Sequence, residues 1–395
     1  MMIRLTPLAA LLSSVVLPAF AQTVMPDPAL PEVKVTGVSD KGYNVNVSRT
    51  ANKTETLLRD TPQAVTVVSK ELIRDQSMQS LSDVVRYVPG IVAAQGEGNR
   101  DTAVFRGNSS TGDFYVDGIR DDVQYYRDFY NIDSVEALKG SNAMIFGRGG
   151  SGGVINRVTK QAQWHTVREA SLTLGSWNTR RLTADVGQAI NDVAAARVTA
   201  VVEDSDSYRT GYKLKRSGIN PTLALRASAD TMVVLGYEHF KDERTADRGI
   251  PSYQGRPLNT DASTFFGNAD INTAWAKLDA FTAAIDHDFG NGLSLRNRTR
   301  YAEYDKFYQN IVPGAVNANA TSVSLSGYNN ATQRKNFFNQ TDVVWTLNTG
   351  AIRHTIVGGV ELGRQETDNF RNTAYFLSVS PTTTAINVPL SNPVA

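Results

Sequence analysis

Two stretches of this chain set cations beside aromatic rings. Tyr208, Arg209, Tyr212, Lys213, Lys215 and Arg216 share one short segment, and Arg100, Arg120, Tyr125, Tyr126 and Arg127 lie around Asp121, Asp122 and Asp128. A guanidinium group hydrogen-bonds to oxyanions in pairs and stacks on ring faces. Such clusters can hold an anionic, ring-bearing solute or the phosphates of a lipid surface. The bland alternative is that Arg120 and Arg127 pair with the neighbouring aspartates, and exposed pairs of that kind contribute little. Other chemistry is thinly represented. There is no cysteine, and His165, His239, His287 and His354 share no ligand spacing, so a protein-made metal site is not expected. No Ser–His–Asp order or carboxylate pair marks an exported enzyme. Phe146-Gly-Arg-Gly-Gly150 resembles a phosphate-cradling loop but lacks its lysine–serine ending. A net charge of +1 argues against a nucleic-acid partner.

The elements that must position these residues fall into three regimes. Residues 22–60 are polar, rich in Pro, Asn and Thr, and without a period, which predicts a flexible arm. Residues 61–160 predict a compact α+β domain. In it Ser80 and Asp83 suggest a capping box, Leu81, Val84, Val85 and Val88 share one helical face, and Pro89-Gly90 stops the helix. A shorter helix is expected over Glu71–Gln76. Strands are expected over Ala64–Val68, Thr102–Arg106, Asp113–Val116, Ser134–Leu138 and Val154–Val158. From residue 165 to residue 395 the texture becomes alternating. Leu182, Ala184 and Val186 alternate with Thr183 and Asp185, and Val343, Trp345 and Leu347 with Val344 and Thr346. About nine strands of roughly ten residues result, long enough to cross a bilayer when tilted. Ile190–Val193, Ala227–Thr231, Asp288–Gly292 and Asn348–Ala351 read as tight turns. Asp204–Gly218, Lys241–Thr273 and Lys306–Lys335 read as long loops, and Ser176–Asn178 as a short exception. Short turns at one end and long loops at the other are the habit of an outer-membrane barrel. A soluble sandwich shares the alternation but gives no reason for the asymmetry.

The N-terminus predicts export. Arg4 supplies a positive charge, Leu8 to Phe20 an apolar core too short to span a bilayer, and Ala19-Phe20-Ala21 a cleavage site, so residues 1–21 form a signal peptide.

The compact domain resembles the plug of TonB-dependent receptors. The resemblance is carried by Thr61-Pro-Gln-Ala-Val-Thr-Val-Val-Ser69, Leu81-Ser-Asp-Val-Val-Arg-Tyr-Val-Pro-Gly-Ile91, Phe105-Arg-Gly107, Phe114-Tyr-Val-Asp-Gly-Ile119, Asp133-Ser-Val-Glu-Ala-Leu-Lys-Gly140, Met144-Ile-Phe-Gly147 and Gly152-Gly-Val-Ile-Asn156, in order. Gly118-Ile-Arg-Asp121, Tyr125-Tyr-Arg-Asp128 and Leu174-Gly-Ser-Trp177 are similar to ferric-siderophore receptors of the catecholate branch. The resemblance implies an α+β plug followed by an antiparallel transmembrane β-barrel of the plugged class, with about 22 strands. About nine would be present here, so the chain is expected to be the N-terminal part of a receptor, or a truncated and inactive one. The polar end at Asn392-Pro-Val-Ala395 fits that expectation.

The resemblance also implies a role for particular residues. Glu32, Val33, Lys34, Val35 and Thr36 look like a TonB box. The expected substrate is a ferric siderophore, with no cofactor of the protein's own, because iron enters already chelated. Siderophore contacts are expected from Arg100, Arg120, Tyr125, Tyr126 and Arg127 on plug loops. Further contacts are expected from Tyr208, Arg209, Tyr212, Lys213 and Arg216 on an external loop, which could instead meet lipopolysaccharide. Arg106 and Arg148 are expected to anchor the plug to lumen-facing carboxylates, and Arg296, Arg298 and Arg300 to line the wall that the plug contacts. The partners implied are TonB with its inner-membrane motor, the ferric siderophore, and outer-membrane lipid and lipopolysaccharide around a monomer. The competing expectations are a receptor for haem, cobalamin or a nickel chelate, and a passive pore.

Overall fold

The computed structural model describes residues 42–48, 53–54, 56–140, 143–147 and 152–395. The expected signal peptide, the box Glu32–Thr36 and Arg148 lie outside these residues. Val47–Ser48 (β1) pairs with Thr56–Leu57 (β2). The plug follows as Ala64–Val68 (β3), helices Lys70–Asp75 (α1) and Leu81–Val85 (α2), Ile91–Ala93 (β4), Ala103–Phe105 (β5), Asn108–Ser110 (β6), Phe114–Val116 (β7), Ile119–Arg120 (β8), Ile132–Lys139 (β9), helix Ala143–Phe146 (α3) and Gly153–Thr159 (β10). Its main sheet has the order β3-β9-β10-β7-β8, with β10 parallel to β7.

The capping box forms as expected. Asp83 accepts from the Ser80 backbone N–H at 3.1 Å and from its hydroxyl at 2.8 Å. The face so positioned, Leu81, Val84, Val85 and Val88, is buried against Phe105, Phe114, Ile132 and Val135.

The wall comprises Val167–Leu174 (β11), Arg180–Ala189 (β12), Ala194–Asp206 (β13), Lys213–Ser228 (β14), Thr231–Thr245 (β15), the small hairpin Ser252–Tyr253 (β16) and Arg256–Pro257 (β17), then Thr273–Gly290 (β18), Leu293–Val316 (β19), Ser322–Thr349 (β20), Ile352–Thr373 (β21) and Ala385–Pro389 (β22). Strands β11–β15 and β18–β21 pair antiparallel in sequence order, and β22 adds to β20. The four tight turns fall where expected. Two loops do not. The segment expected as a loop over Asp204–Gly218 shrinks to residues 207–212. The one expected over Lys306–Lys335 is mostly strand, because β19 and β20 continue far past the bilayer length. Outside lipid neither face must be apolar, so these extensions carry no alternation. Of the three loops expected to be long, the Lys241–Thr273 connection remains so.

The wall is inside out. Leu362 is 61% exposed, Val202 59% and Trp345 46%, while Arg181 is 5% exposed, Glu203 6% and Thr199 1%. A soluble core would reverse this, whereas a barrel in lipid with a filled polar lumen requires it. The outward band also crosses the strands obliquely. The register row Leu172, Leu182, Val202, Ser217, Lys241, Lys277, Asp305 begins apolar and ends charged. Strands tilted against the band give that pattern. On the later strands Tyr237, Phe281, Tyr301 and Phe337 form one outward row, and the next row is His239, Asp279, Glu303 and Lys335. Aromatics followed at once by charge mark an interface with lipid headgroups.

Candidate functional site

Acidic residues of the plug meet arginines and tyrosines around them, and most of those belong to the wall. Asp121 follows β8 and is fully buried. It accepts from Tyr304 of β19 at 2.7 Å, from Arg157 of β10 at 2.5 Å, from the Nε of Arg127 at 2.9 Å and from Tyr125 at 3.0 Å. Burial alone would raise its pKa, but the guanidinium groups of Arg127 and Arg157 reverse that and hold it far below the usual carboxylate range. Asp128 takes both Nη atoms of Arg181 at 2.7 and 2.8 Å, and Arg216 at 2.5 Å. Here too burial is outweighed, by Arg216 and Arg181, and the pKa is pushed down to about 2. Arg334 reaches both oxygens of Asp122 at 2.9 Å. Nearer the tight turns, Lys53 bonds Asp342 at 2.9 Å and its carbonyl accepts from Arg296 at 3.1 Å.

Both polarities occur among the described residues: Asp122 and Asp128 of the plug take arginines of the wall, while Lys53 and Lys160 reach the wall carboxylates Asp342 and Asp185. Arg106 is exposed, with a φ of 46°, and has no ion pair among the described residues. Its backbone N–H donates to Gly90 at 2.9 Å, so it shapes a turn. Arg300 is buried and donates to Tyr304, as a wall residue bonded toward the plug.

At the wall end that carries the long loop, a second cluster surrounds the plug apex. Glu97 is bonded by Arg100 at 2.6 Å and by the Tyr328 hydroxyl at 3.3 Å, with Arg248 at 3.9 Å. Burial raises the pKa of Glu97, but Arg100 and Arg248 more than offset it and the net shift is downward. Arg248 donates to the Tyr328 oxygen at 2.8 Å and to Asn310 at 2.7 Å. The guanidinium of Arg371 lies 3.9 Å from the centre of the Tyr328 ring, and Tyr308 meets that ring edge-on at 5.7 Å. Lys306 donates to Asn99 at 2.9 Å. The apex is tightly seated: a Cβ on Gly98 would lie 2.4 Å from the Asp247 carbonyl oxygen, and Gln95 donates to that oxygen at 2.7 Å.

The expected contact residues divide between these two clusters. Arg100 and Tyr126 sit at the apex, with Arg244 stacked 3.8 Å over the Tyr126 ring. Arg120 lines a polar cleft with Ser110, Asp122, Arg334 and Gln365. Tyr125 and Arg127 are buried in the Asp121 network, and Arg127 spends its remaining donors on the carbonyls of Asp121, Val123 and Tyr125. Arg216 points into the Asp128 network. Those three are buried with their polar atoms engaged in these networks. Arg209 is held by Asp247 at 3.0 Å and by the carbonyls of Ala262 and Thr264. Tyr208 is exposed, edge-on to Trp177 at 6.1 Å, and Lys213 is exposed while Tyr212 is half-buried. Arg248, Lys306, Tyr328 and Arg371 were not expected. Tyr328 lies in a stretch taken for a loop, and only the β19–β20 register, which sets Asn310 opposite Tyr328, brings it to Arg248. Among the described residues no group of three His, Cys, Asp or Glu side chains is placed to hold a metal.

The family profile described as the TonB-dependent Receptor Plug Domain matches residues 57–154. The chain is 29% identical over 375 residues to the probable TonB-dependent siderophore receptor PiuA of Acinetobacter baumannii, covering 91% of this chain and 50% of that protein. It is 30% identical over 339 residues to the catecholate siderophore receptor Fiu of Escherichia coli K12, covering 79% and 45%. The crystal structure of PiuA superposes with a TM-score of 0.80 at 26% identity, over 90% of this chain and 54% of that one. The open form of Fiu gives 0.74 at 28% identity, over 80% and 51%. The chain thus spans about half the length of these relatives.

Proposed function

From the premise that this chain carries the plug of the TonB-dependent receptors and part of the barrel wall around it, we propose that it serves the active uptake of a ferric siderophore, of the catecholate class, across a bacterial outer membrane. The observation that carries this reading is the Arg248–Tyr328–Arg371 cluster over the plug apex. A ferric catecholate presents anionic oxygens and flat rings. Guanidinium groups beside a tyrosine face match both, and the chelator leaves the iron no need of a protein ligand. The names of the relatives, siderophore receptor and catecholate siderophore receptor, support the same substrate.

A passive pore has no use for a plug pinned through Asp121, Asp122 and Asp128. In the proposed cycle the chelate seats on the apex and the plug shifts. TonB then adds as a strand to Glu32–Thr36, and its inner-membrane motor supplies the work. Outer-membrane lipid surrounds a monomer, and Lys213, which is exposed, meets lipopolysaccharide in this reading. Uptake of radiolabelled iron as a ferric catecholate by iron-starved cells tests the reading. The full-length receptor restores uptake to a deletion strain, and Val35→Pro abolishes it, since proline removes a donor that strand addition uses. Uptake unchanged by the deletion contradicts the reading.

A further inference from the structure

We infer that Glu97 is a built-in stand-in for the anionic ligand, holding the cations of the apex site in its absence and being displaced when the ligand arrives. The inference rests on the reading above and assigns that site its trigger. Three observations carry it. First, Glu97 is a carboxylate on the plug that occupies the groups best suited to an oxyanion there: Arg100 at 2.6 Å, the Tyr328 hydroxyl at 3.3 Å, and Arg248 at 3.9 Å. Second, its side chain is 33% exposed, so a solute can reach these contacts and compete for them. Third, the backbone that carries it is held in the left-handed region at three successive residues, Gly96 at φ 65°, Glu97 at 56° and Gly98 at 70°. A non-glycine residue rarely adopts that conformation, and it persists here because the surroundings impose it.

Release of Glu97 therefore has two effects. It frees Arg100, Arg248 and Tyr328 for the ligand, and it removes the side-chain contacts that add to the backbone bonds of Gly98, Asn99 and Arg100 in holding residues 96–98 in this shape. The apex abuts Asp247 through Gly98 and Gln95, so the change passes directly to the base of the loop over residues 246–272. Two carboxylate-like partners cannot both satisfy Arg248 and Tyr328, and this exclusion couples occupancy to plug shape.

The test measures binding of iron(III) 2,3-dihydroxybenzoate to the full-length receptor purified from outer membranes, as wild type, Glu97→Gln and Glu97→Asp. Glutamine removes the charge at nearly constant size, and aspartate keeps the charge but shortens the reach. Both are expected to bind the chelate about five- to tenfold more tightly, the competition removed being that of partly exposed charge-assisted contacts. Both are also expected to lose the ligand-induced change in proteolysis of residues 246–272 that the wild type shows. Wild-type binding with variants of equal or weaker affinity overturns the stand-in role alone. No binding by any of the three overturns the substrate reading and this inference together.

Discussion

Asp128 of the plug receives both Nη atoms of Arg181 from the wall, at 2.7 and 2.8 Å, with neither side chain more than 5% exposed. This relationship turns a sheet and a separate α+β domain into one unit. Asp128→Asn is expected to weaken plug retention by about 3–5 kcal/mol, because it leaves Arg181 and Arg216 buried with an incomplete complement of charge. Urea-induced loss of the plug from the detergent-solubilised receptor measures this. A midpoint equal to wild type sinks the anchoring role.

The same carboxylate sets an acid limit. Its pKa in the folded protein, about 2, lies below the ordinary value of about 3.9. A depressed carboxylate contributes stability above its unfolded value and loses it as pH falls through the folded one. Plug retention should therefore be level from about pH 7 to about pH 5, and should fall between about pH 4 and pH 2. Loss beginning near pH 6 would assign the linkage to another group.

Asn297, Thr299, Asn339 and Thr341 form a closed polar clasp on the lipid-facing side of β19 and β20. The two amides donate to each other's oxygens at 3.3 Å, and to Thr341 at 2.8 Å and Thr299 at 2.7 Å, and the hydroxyls return bonds to the amide oxygens. Asn339→Val alone should destabilise the wall by about 1–3 kcal/mol, because its partners are left unpaired in an apolar surrounding. Replacing all four with valine should recover most of that loss. Heat-modifiable migration on gels reads both variants, and equal loss in the two would refute a closed network.

At the apex, Arg248→Ala should weaken binding of a ferric catecholate about tenfold, with its salt dependence reduced, since one charge-assisted contact and one ring neighbour go together. Fluorescence quenching on titration measures it. Lys277→Ala, on the outward face, should leave affinity unchanged.

Much of the fold was legible in the residues. The four tight turns, the capped helix and the plug strand Ala64–Val68 each follow from short-range rules: turn formers, a cap, an apolar period. The extensions of β19 and β20 were not legible, because beyond the bilayer both faces meet polar surroundings and no alternation marks a strand. The site was legible in kind but not in membership. Arg127 and Arg216 have the composition of ligand contacts, yet Arg127 pairs with the neighbouring Asp121, the bland alternative, and the carboxylate of Arg216 comes from elsewhere in the fold. Arg216 and Asp128 are separated by 88 positions, and Tyr304 and Asp121 by 183. Only the strand register of the wall brings such partners together. Arg106 shapes a turn and has no ion pair among the described residues, and a glycine-flanked arginine is as well suited to a turn as to an ion pair.

On this reading the wall stands in lipid with its polar face turned in to the plug. These 395 residues contain no cysteine, so single cysteines are placed along Thr231–Thr245, with any cysteine in the rest of the receptor replaced by serine. Spin labels at these positions, in the full-length receptor reconstituted in bilayers, should show accessibility to oxygen alternating with a period of two. It should be high at the outward Val233 and Leu235 and low at Val234 and Gly236. High accessibility to a water-soluble relaxant at Val233 and Leu235, or no alternation, would contradict the account.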